Sequence, residues 1–260
     1  MALIDAADHT AEAQATPLSQ RVDVRAHSAP MDPALLNDSL AGLSVKELLH
    51  KVLLEIFPGR VAVVSSFGAE AAALLDLVSR VDRDTPIIFM DTGKHFQETL
   101  DYRDMLIERL RLTNVQSFNP LETDIQAEDP NGTLWERDTD ACCDIRKVRP
   151  LDRALQGYDA WISGRKRYQS STRANLPTFE SDDGRIKINP LADWDAEQID
   201  EHYMNFGLPR HPLFYEGYPS IGCANCTSKP KPGEDARSGR WAGNGKTECG
   251  IHKMRFADNI

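Results

Sequence analysis

RVAVVSSFGAEAAALLDLV, residues 60–78, reads as a strand, a tight turn and a helix in direct succession. Arg60 to Ser65 is a short β-branched apolar run that opens directly after Pro58-Gly59, the composition of a strand buried on both faces. Ser65-Ser66-Phe67-Gly68 is the turn, and an Ala- and Leu-rich helix is predicted from about Ala69 to Val78. The pattern then repeats. Pro86-Ile87-Ile88-Phe89-Met90 is a second strand closed by Asp91-Thr92-Gly93, and Phe96, Leu100, Met105, Leu106 and Leu110 mark the apolar stripe of a polar helix. Val115-Gln116-Ser117-Phe118 is a third strand, Ala160-Trp161-Ile162-Ser163-Gly164 a further core strand, and Arg185 to Leu191 an alternating one expected toward an edge. A helix is predicted over 195–206. Upstream, Ser44-x-x-Glu47 is a capping box, and Leu48, Leu49, Val52, Leu53 and Ile56 continue at helical spacing to Pro58-Gly59. Strands alternating with helices of this length predict an α/β fold, a Rossmann-like, mostly parallel sheet with helices on both faces.

The chain has 260 residues, 41% hydrophobic and 27% charged, which is ordinary globular usage and excludes a collagenous, coiled-coil or wholly disordered chain. Every apolar stretch is broken by charge or Pro within about ten residues, short of a membrane span. The first residues show no basic and apolar signal-peptide regions, so cytoplasm is the expected compartment. A net charge of −10 argues against general affinity for nucleic acid or anionic membrane. Residues 1 to about 42 lack sustained apolar period and are expected to form a mobile arm or a short partner-covering segment. After Gly207 the chain turns to Pro, Gly and charge. Acids and bases are segregated: residues 122–140 carry seven acids and one base, residues 144–173 eight bases and three acids. That basic stretch suits either an anion site or a solvated helix face.

Three constellations can carry chemistry. The Ser65–Glu70 turn lies between a buried strand and a helix N-terminus, where small residues let backbone N–H groups approach a phosphate. No Walker A loop occurs, since Arg240 stands where the first glycine ahead of Gly243-Asn244-Gly245-Lys246-Thr247 would have to be. The second constellation is Cys142-Cys143 with Cys223-x-x-Cys226. Adjacent cysteines fit awkwardly around one tetrahedral zinc, whereas a multi-iron cluster gives neighbouring thiolates separate irons; the alternative is a set of unrelated buried cysteines. Arg146, Lys147 and Arg149 would offset the thiolate charge. The third is Cys249 in a Gly-rich tail among Arg237, Arg240, Lys246, His252 and Lys253, surroundings that favour a nucleophilic thiolate; the alternative is an idle tail cysteine.

The segments SSFGAEA (65–71), FMDTGKHFQET (89–99), CCDIRKVRPL (142–151), SGRKRYQSSTR (163–173), INPLADW (188–194), GYPSIGCANCT (217–227) and KTECGIH (246–252) resemble the assimilatory adenylyl-sulfate and phosphoadenylyl-sulfate reductases, which share the adenine-nucleotide alpha-hydrolase, or PP-loop, fold. The paired cysteines resemble the adenylyl-sulfate branch. That resemblance implies that Cys142, Cys143, Cys223 and Cys226 hold one 4Fe-4S cluster and that Cys249 is the nucleophile. It implies substrate contacts at Ser65, Ser66, Gly68, Lys147, Gly164, Arg165, Arg237, Arg240 and His252, with Lys147 between cluster and substrate. The implied domains are a flexible arm over 1–42, a nucleotide-binding domain with the iron–sulfur site over 43–226, and an irregular, mobile C-terminal tail carrying the catalytic cysteine over 227–260. The implied reaction is reduction of adenosine 5'-phosphosulfate to sulfite and AMP through an S-sulfocysteine, with a thioredoxin or glutaredoxin-like dithiol as electron donor. A homo-oligomer is left open. Where ATP-cleaving relatives have Ser-Gly-Gly-x-Asp-Ser, this chain has Ser65-Ser66-Phe67-Gly68, which argues against ATP chemistry and against RNA thiolation. Two rival readings are a phosphoadenylyl-sulfate reductase carrying a cluster and a non-catalytic iron–sulfur or zinc-binding regulator.

Overall fold

The computed structural model describes residues 31–241 and 246–252. Its elements in chain order are α1 (Pro33–Ser39), α2 (Val45–His50), β1 (Val61–Val64), α3 (Ala71–Ser79), β2 (Ile87–Met90), α4 (Gln97–Leu110), β3 (Val115–Phe118), α5 (Glu122–Glu128), α6 (Leu134–Arg137), α7 (Thr139–Cys143), α8 (Arg149–Ala154), β4 (Ala160–Ile162), β5 (Phe179–Asp182), β6 (Arg185–Ile188), α9 (Ala196–Phe206) and α10 (Pro212–Tyr215). Wider-wound turns extend α2 through Lys51–Ile56 and join α7 to α8 through Asp144–Val148. The Ser44–Glu47 capping box starts α2 as expected, with Glu47 N–H donating to Ser44 Oγ and Ser44 N–H to Glu47 Oε2.

Six strands form one sheet in the order β3-β2-β1-β4-β6-β5, parallel except for the β5–β6 pair. β1, β2 and β4 are buried throughout, which is why they read as unbroken apolar runs. One sheet face packs on α2, α3, α4 and α9 through Leu49, Leu75, Tyr102, Leu106 and Ile199; the other packs Ala62, Ile88 and Trp161 against Leu151 and Leu155 of the α8 region. The strand order turns around between β1 and β4, so the loops after these two strands diverge and open a crevice at their carboxyl ends.

Three expectations change. β6 is not an edge: β5 covers it, a strand whose sequence Phe-Glu-Ser-Asp gives little apolar signal. Part of the expected arm is a helix: Asp32 caps α1, Pro33 opens it, Leu36 is buried, and Asn37 exchanges hydrogen bonds with the Phe179 backbone in β5. Residues 1–30 lie outside the described residues. The tail expected as a separate unit contributes Trp241, Cys249 and Ile251 to the same apolar cluster as Trp161. Among the described residues no helix is long and apolar enough to cross a membrane.

Candidate active site

The crevice at the β1/β4 switch point holds every residue expected to touch substrate. Ser65, Ser66, Gly68, Lys147, Gly164, Arg165, Arg237, Arg240, Cys249 and His252 all line one cavity. The loop after β1 is tight. Phe67 sits at φ 48°, a left-handed conformation rare outside glycine, stabilised by full burial, an edge-on contact with Phe89 and donation of its N–H to Ser65 Oγ at 3.1 Å. Gly68 is small for a local reason: a Cβ there would meet the Ile221 carbonyl at 3.2 Å. The loop therefore rests directly on the segment that leads into Cys223.

Most of the basic stretch is already paired. Arg146 binds Asp129 at 2.6 Å, and Arg149 binds Glu128 at 2.5 Å and Asp144 at 2.8 Å, so the acidic stretch before them is their counter-charge. Arg149 does not border the cysteines, contrary to its expected role; Arg146 does. In the crevice, Arg165 is held by Glu180 and Asn189, Lys166 by Glu70 at 2.8 Å, and Arg173 by Glu248. Burial, and then Arg173, lower Arg165 to about 10; the same two causes lower Arg237 to about 10, leaving both charged at neutral pH. Lys147 and Arg240 differ from these. Among the described residues neither makes an ion pair with a carboxylate; the groups that face them are the thiols of Cys223, Cys249 and Cys143, and Arg240 also faces Lys147.

Cys249 is buried, 9% exposed, rather than presented on an open tail. Contact with the Cys143 thiol, then Lys147 and Arg240, hold it well below the ordinary thiol pKa despite desolvation. His252 departs from its expected place in the cationic ring around this thiol. Its ring stacks on Trp161 at 6.0 Å between centroids, and desolvation, then Lys187 and Arg165, push its pKa well below the usual value, so it is neutral. Lys246 reaches Asp140 in α7 at 2.6 Å, and Lys253 lies outside the described residues.

Cys142, Cys143, Cys223 and Cys226 converge on a second, smaller cavity with Lys94, Trp135, Arg146, Lys147 and Trp241. The end of α7 supplies the first pair. The second is held from both sides: Ala224 N–H donates to Lys94 O at 2.8 Å, Cys223 Sγ lies 3.4 Å from Thr92 Oγ1, and Trp241 N–H donates to Cys226 O at 3.0 Å. Thr227 pairs with Arg240, and Ser228 N–H donates to Gly239 O at 2.8 Å, closing the base of the loop between them. Among the described residues no three Cys, His, Asp or Glu side chains surround a single ion-sized point. A donor set of four thiols spread around one cavity suits a multi-iron cluster, in which each thiolate has its own iron. Lys147 and Trp241 border both cavities and form the wall between them.

Residues that the expected site omitted are Glu70, Lys166, Gln169, Arg173 and Glu248. Glu70 accepts from Lys166, Tyr168 and Gln169, tying the loop after β4 to the N-terminus of α3. All five lie inside the quoted motifs, but their long-range pairing is not a spacing signal. A wider cleft between α1, α3 and α9 contains none of these groups.

The fold and crevice define an α/β enzyme of the adenine-nucleotide alpha-hydrolase class. The chain belongs to the phosphoadenosine phosphosulfate reductase domain family, whose pattern matches residues 60–229. It is 51% identical over 216 residues to the adenosine 5'-phosphosulfate reductase of Mesorhizobium japonicum, covering 83% of this chain and 85% of that one. To the adenosine 5'-phosphosulfate reductase of Mycolicibacterium smegmatis it is 44% identical over 216 residues, covering 82% and 90%. Among solved structures, the phosphoadenylyl-sulfate reductase of Candida auris in its phosphate complex superposes with TM-score 0.65 at 30% identity, over 75% of this chain and 96% of that one. Yeast FAD synthetase, at TM-score 0.50 and 14% identity over 78% of this chain and 70% of that one, shares the fold.

Proposed function

We propose that the protein reduces adenosine 5'-phosphosulfate to sulfite and AMP, with Cys249 as nucleophile. The observation that carries this reading is the placement of Cys249 beside Lys147 and Arg240, two cations without a carboxylate partner among the described residues, in the cavity beneath the Ser65–Gly68 loop. A sulfuryl sulfur ringed by anionic oxygens repels a thiolate, so unpaired positive charge at the point of attack is the requirement. Lys147 and Arg240 neutralise the phosphosulfate and align it. Cys249 attacks sulfur, the S–O bond to phosphate breaks, and AMP leaves with that electron pair. The resulting S-sulfocysteine is attacked at the Cys249 sulfur by one thiol of a thioredoxin or glutaredoxin-like donor. Sulfite departs, a mixed disulfide forms, and the second donor thiol resolves it, so the dithiol supplies both electrons. Because Cys249 is buried, the second step requires its segment to open.

Cys142, Cys143, Cys223 and Cys226 would hold one 4Fe-4S cluster. Bound there, it supplies a charged centre behind Lys147 and cross-links the two chain segments that form the crevice wall. The test is sulfite release by anaerobically purified protein with thioredoxin and dithiol. Cys249→Ser is expected to abolish release while leaving the visible absorbance of thiolate-bound iron intact; retained turnover would sink the assignment. The similarity to a phosphoadenylyl-sulfate reductase favours one second reading, reduction of the 3'-phosphorylated substrate. A clear preference for that substrate in the same assay would establish it, and inactivity toward both with iron retained would point to a regulator.

A further inference from the structure

We infer that Glu248 is a positioning residue, a carboxylate latch that docks the tail and thereby places Cys249. The inference takes Cys249 as the nucleophile and so rests on the function proposed above.

Arg173 donates from Nε to Glu248 Oε1 at 2.5 Å and from Nη2 to Oε2 at 2.8 Å, the parallel two-bond geometry that gives Arg–carboxylate pairs their directional strength. Arg237 adds a bond from Nη2 to the same Oε2 at 3.3 Å and another to the Thr247 carbonyl at 3.3 Å. The pair is sheltered, with Arg173 6% and Glu248 17% exposed at the side chain. Arg173 belongs to the loop after β4, where Gln169 accepts from its Nη1. Gln169 in turn donates to Glu70 at the start of α3 at 2.8 Å. The latch is therefore anchored to both strands of the switch point.

Glu248 is one residue from Cys249, so its carboxylate fixes where the thiol lies. It is also the one carboxylate bound to Arg173 or Arg237 among the described residues. Removing it leaves two sheltered guanidinium groups facing each other without an anion, a state that favours opening of the tail. The division of labour follows from the charge map. Arg173 from the body and Arg237 from the tail's own loop hold the Glu248 carboxylate, while Lys147 and Arg240 stay free beside the thiol for the substrate's oxyanion.

The test uses the full chain, purified anaerobically, with Glu248→Gln beside wild type and Glu234→Gln as a control for an exposed carboxylate on the same tail. Hydrogen exchange of the 246–252 peptide in the absence of substrate is expected to accelerate by about tenfold or more in Glu248→Gln and to stay unchanged in Glu234→Gln. AMP should bind Glu248→Gln with a dissociation constant within about twofold of wild type, and single-turnover formation of S-sulfocysteine should slow by about tenfold or more. Unchanged exchange would overturn the latch. AMP binding several-fold tighter would overturn it also, since it would make Glu248 a stand-in for substrate in a site the substrate itself uses. The exchange measurement involves no turnover, so it reads the latch even if Cys249 proves not to react.

Discussion

His211 offers the sharpest quantitative test of the fold around the site. Its ring is fully buried between α4 and α10, 4.9 Å from the Tyr102 ring. Nδ1 accepts the Leu213 N–H at 3.2 Å, so the neutral ring carries its proton on Nε2, which then donates to Thr99 Oγ1 at 3.0 Å. Protonating Nδ1 would bury a charge and set two N–H groups against each other. Burial lowers the pKa from 6.5 to about 4. With the folded pKa depressed, the unfolded chain binds more protons between pH 6.5 and about 4, so stability falls as pH falls through that window. A shift of about 2.5 units at about 1.36 kcal/mol each gives a loss of about 3.4 kcal/mol. His211→Asn keeps an acceptor at the start of α10 and removes the titration. Urea unfolding of both proteins from pH 4 to 8 should give curves whose difference changes by about that amount between pH 6.5 and 4 and is flat above. A constant difference across the whole range would refute the assignment of a neutral, Nε2-protonated His211.

Lys187, buried over the Trp161 ring at 4.7 Å, is lowered to about 7 by burial and then by Arg165, so the unfolded chain binds the extra proton between about pH 7 and 10.5. Its contribution to stability should rise with pH across that window by about 1.4 kcal/mol per unit, and Lys187→Met should lack this slope, so that it appears in the wild-type-minus-variant difference; equal slopes in the two proteins would contradict it. A Cβ on Gly222 would fall on the Arg240 guanidinium, so Gly222→Ala should displace Arg240 and cut kcat/KM by about tenfold or more with folding retained. An unchanged rate would mean that Arg240 does not face the substrate. Asn37→Ala should lower stability by about 1–3 kcal/mol in urea unfolding, because it deletes the bonds that dock α1 on β5 and leaves buried backbone groups unpaired. An unchanged midpoint would show that α1 is not docked.

What the residues disclosed in advance follows their physics. β1, β2 and β4 announce themselves because burial on both faces demands continuous apolar sequence. β5 hides because it is a short edge strand with one apolar residue, Phe179: Ser181 is exposed, Glu180 turns inward to Arg165 and Lys187, and buried Asp182 accepts the Trp161 indole N–H at 2.8 Å. β6 alternates, yet Lys187 points into the structure, where Glu180 and Trp161 receive it, so alternation did not mean one wet face. α1 was too short for periodicity, although Asp32 and Pro33 carried its cap signal. The site residues were legible as motifs. Their pairing was not, because Arg165–Glu180, Lys166–Glu70 and Arg173–Glu248 join positions far apart in the chain, and only the fold shows which cations are left free.

The loop between Cys226 and Trp241 is closed at its base by three successive backbone pairings, and its tip, residues 231–235, is exposed throughout. The clamp separates that tip from Cys226, whereas Arg237 lies within the loop and donates its N–H to Asp235 at 2.8 Å. A fluorophore or a short affinity peptide attached at that tip would sit outside the clamp and next to Arg237, and so would report on the Arg237–Glu248 contact.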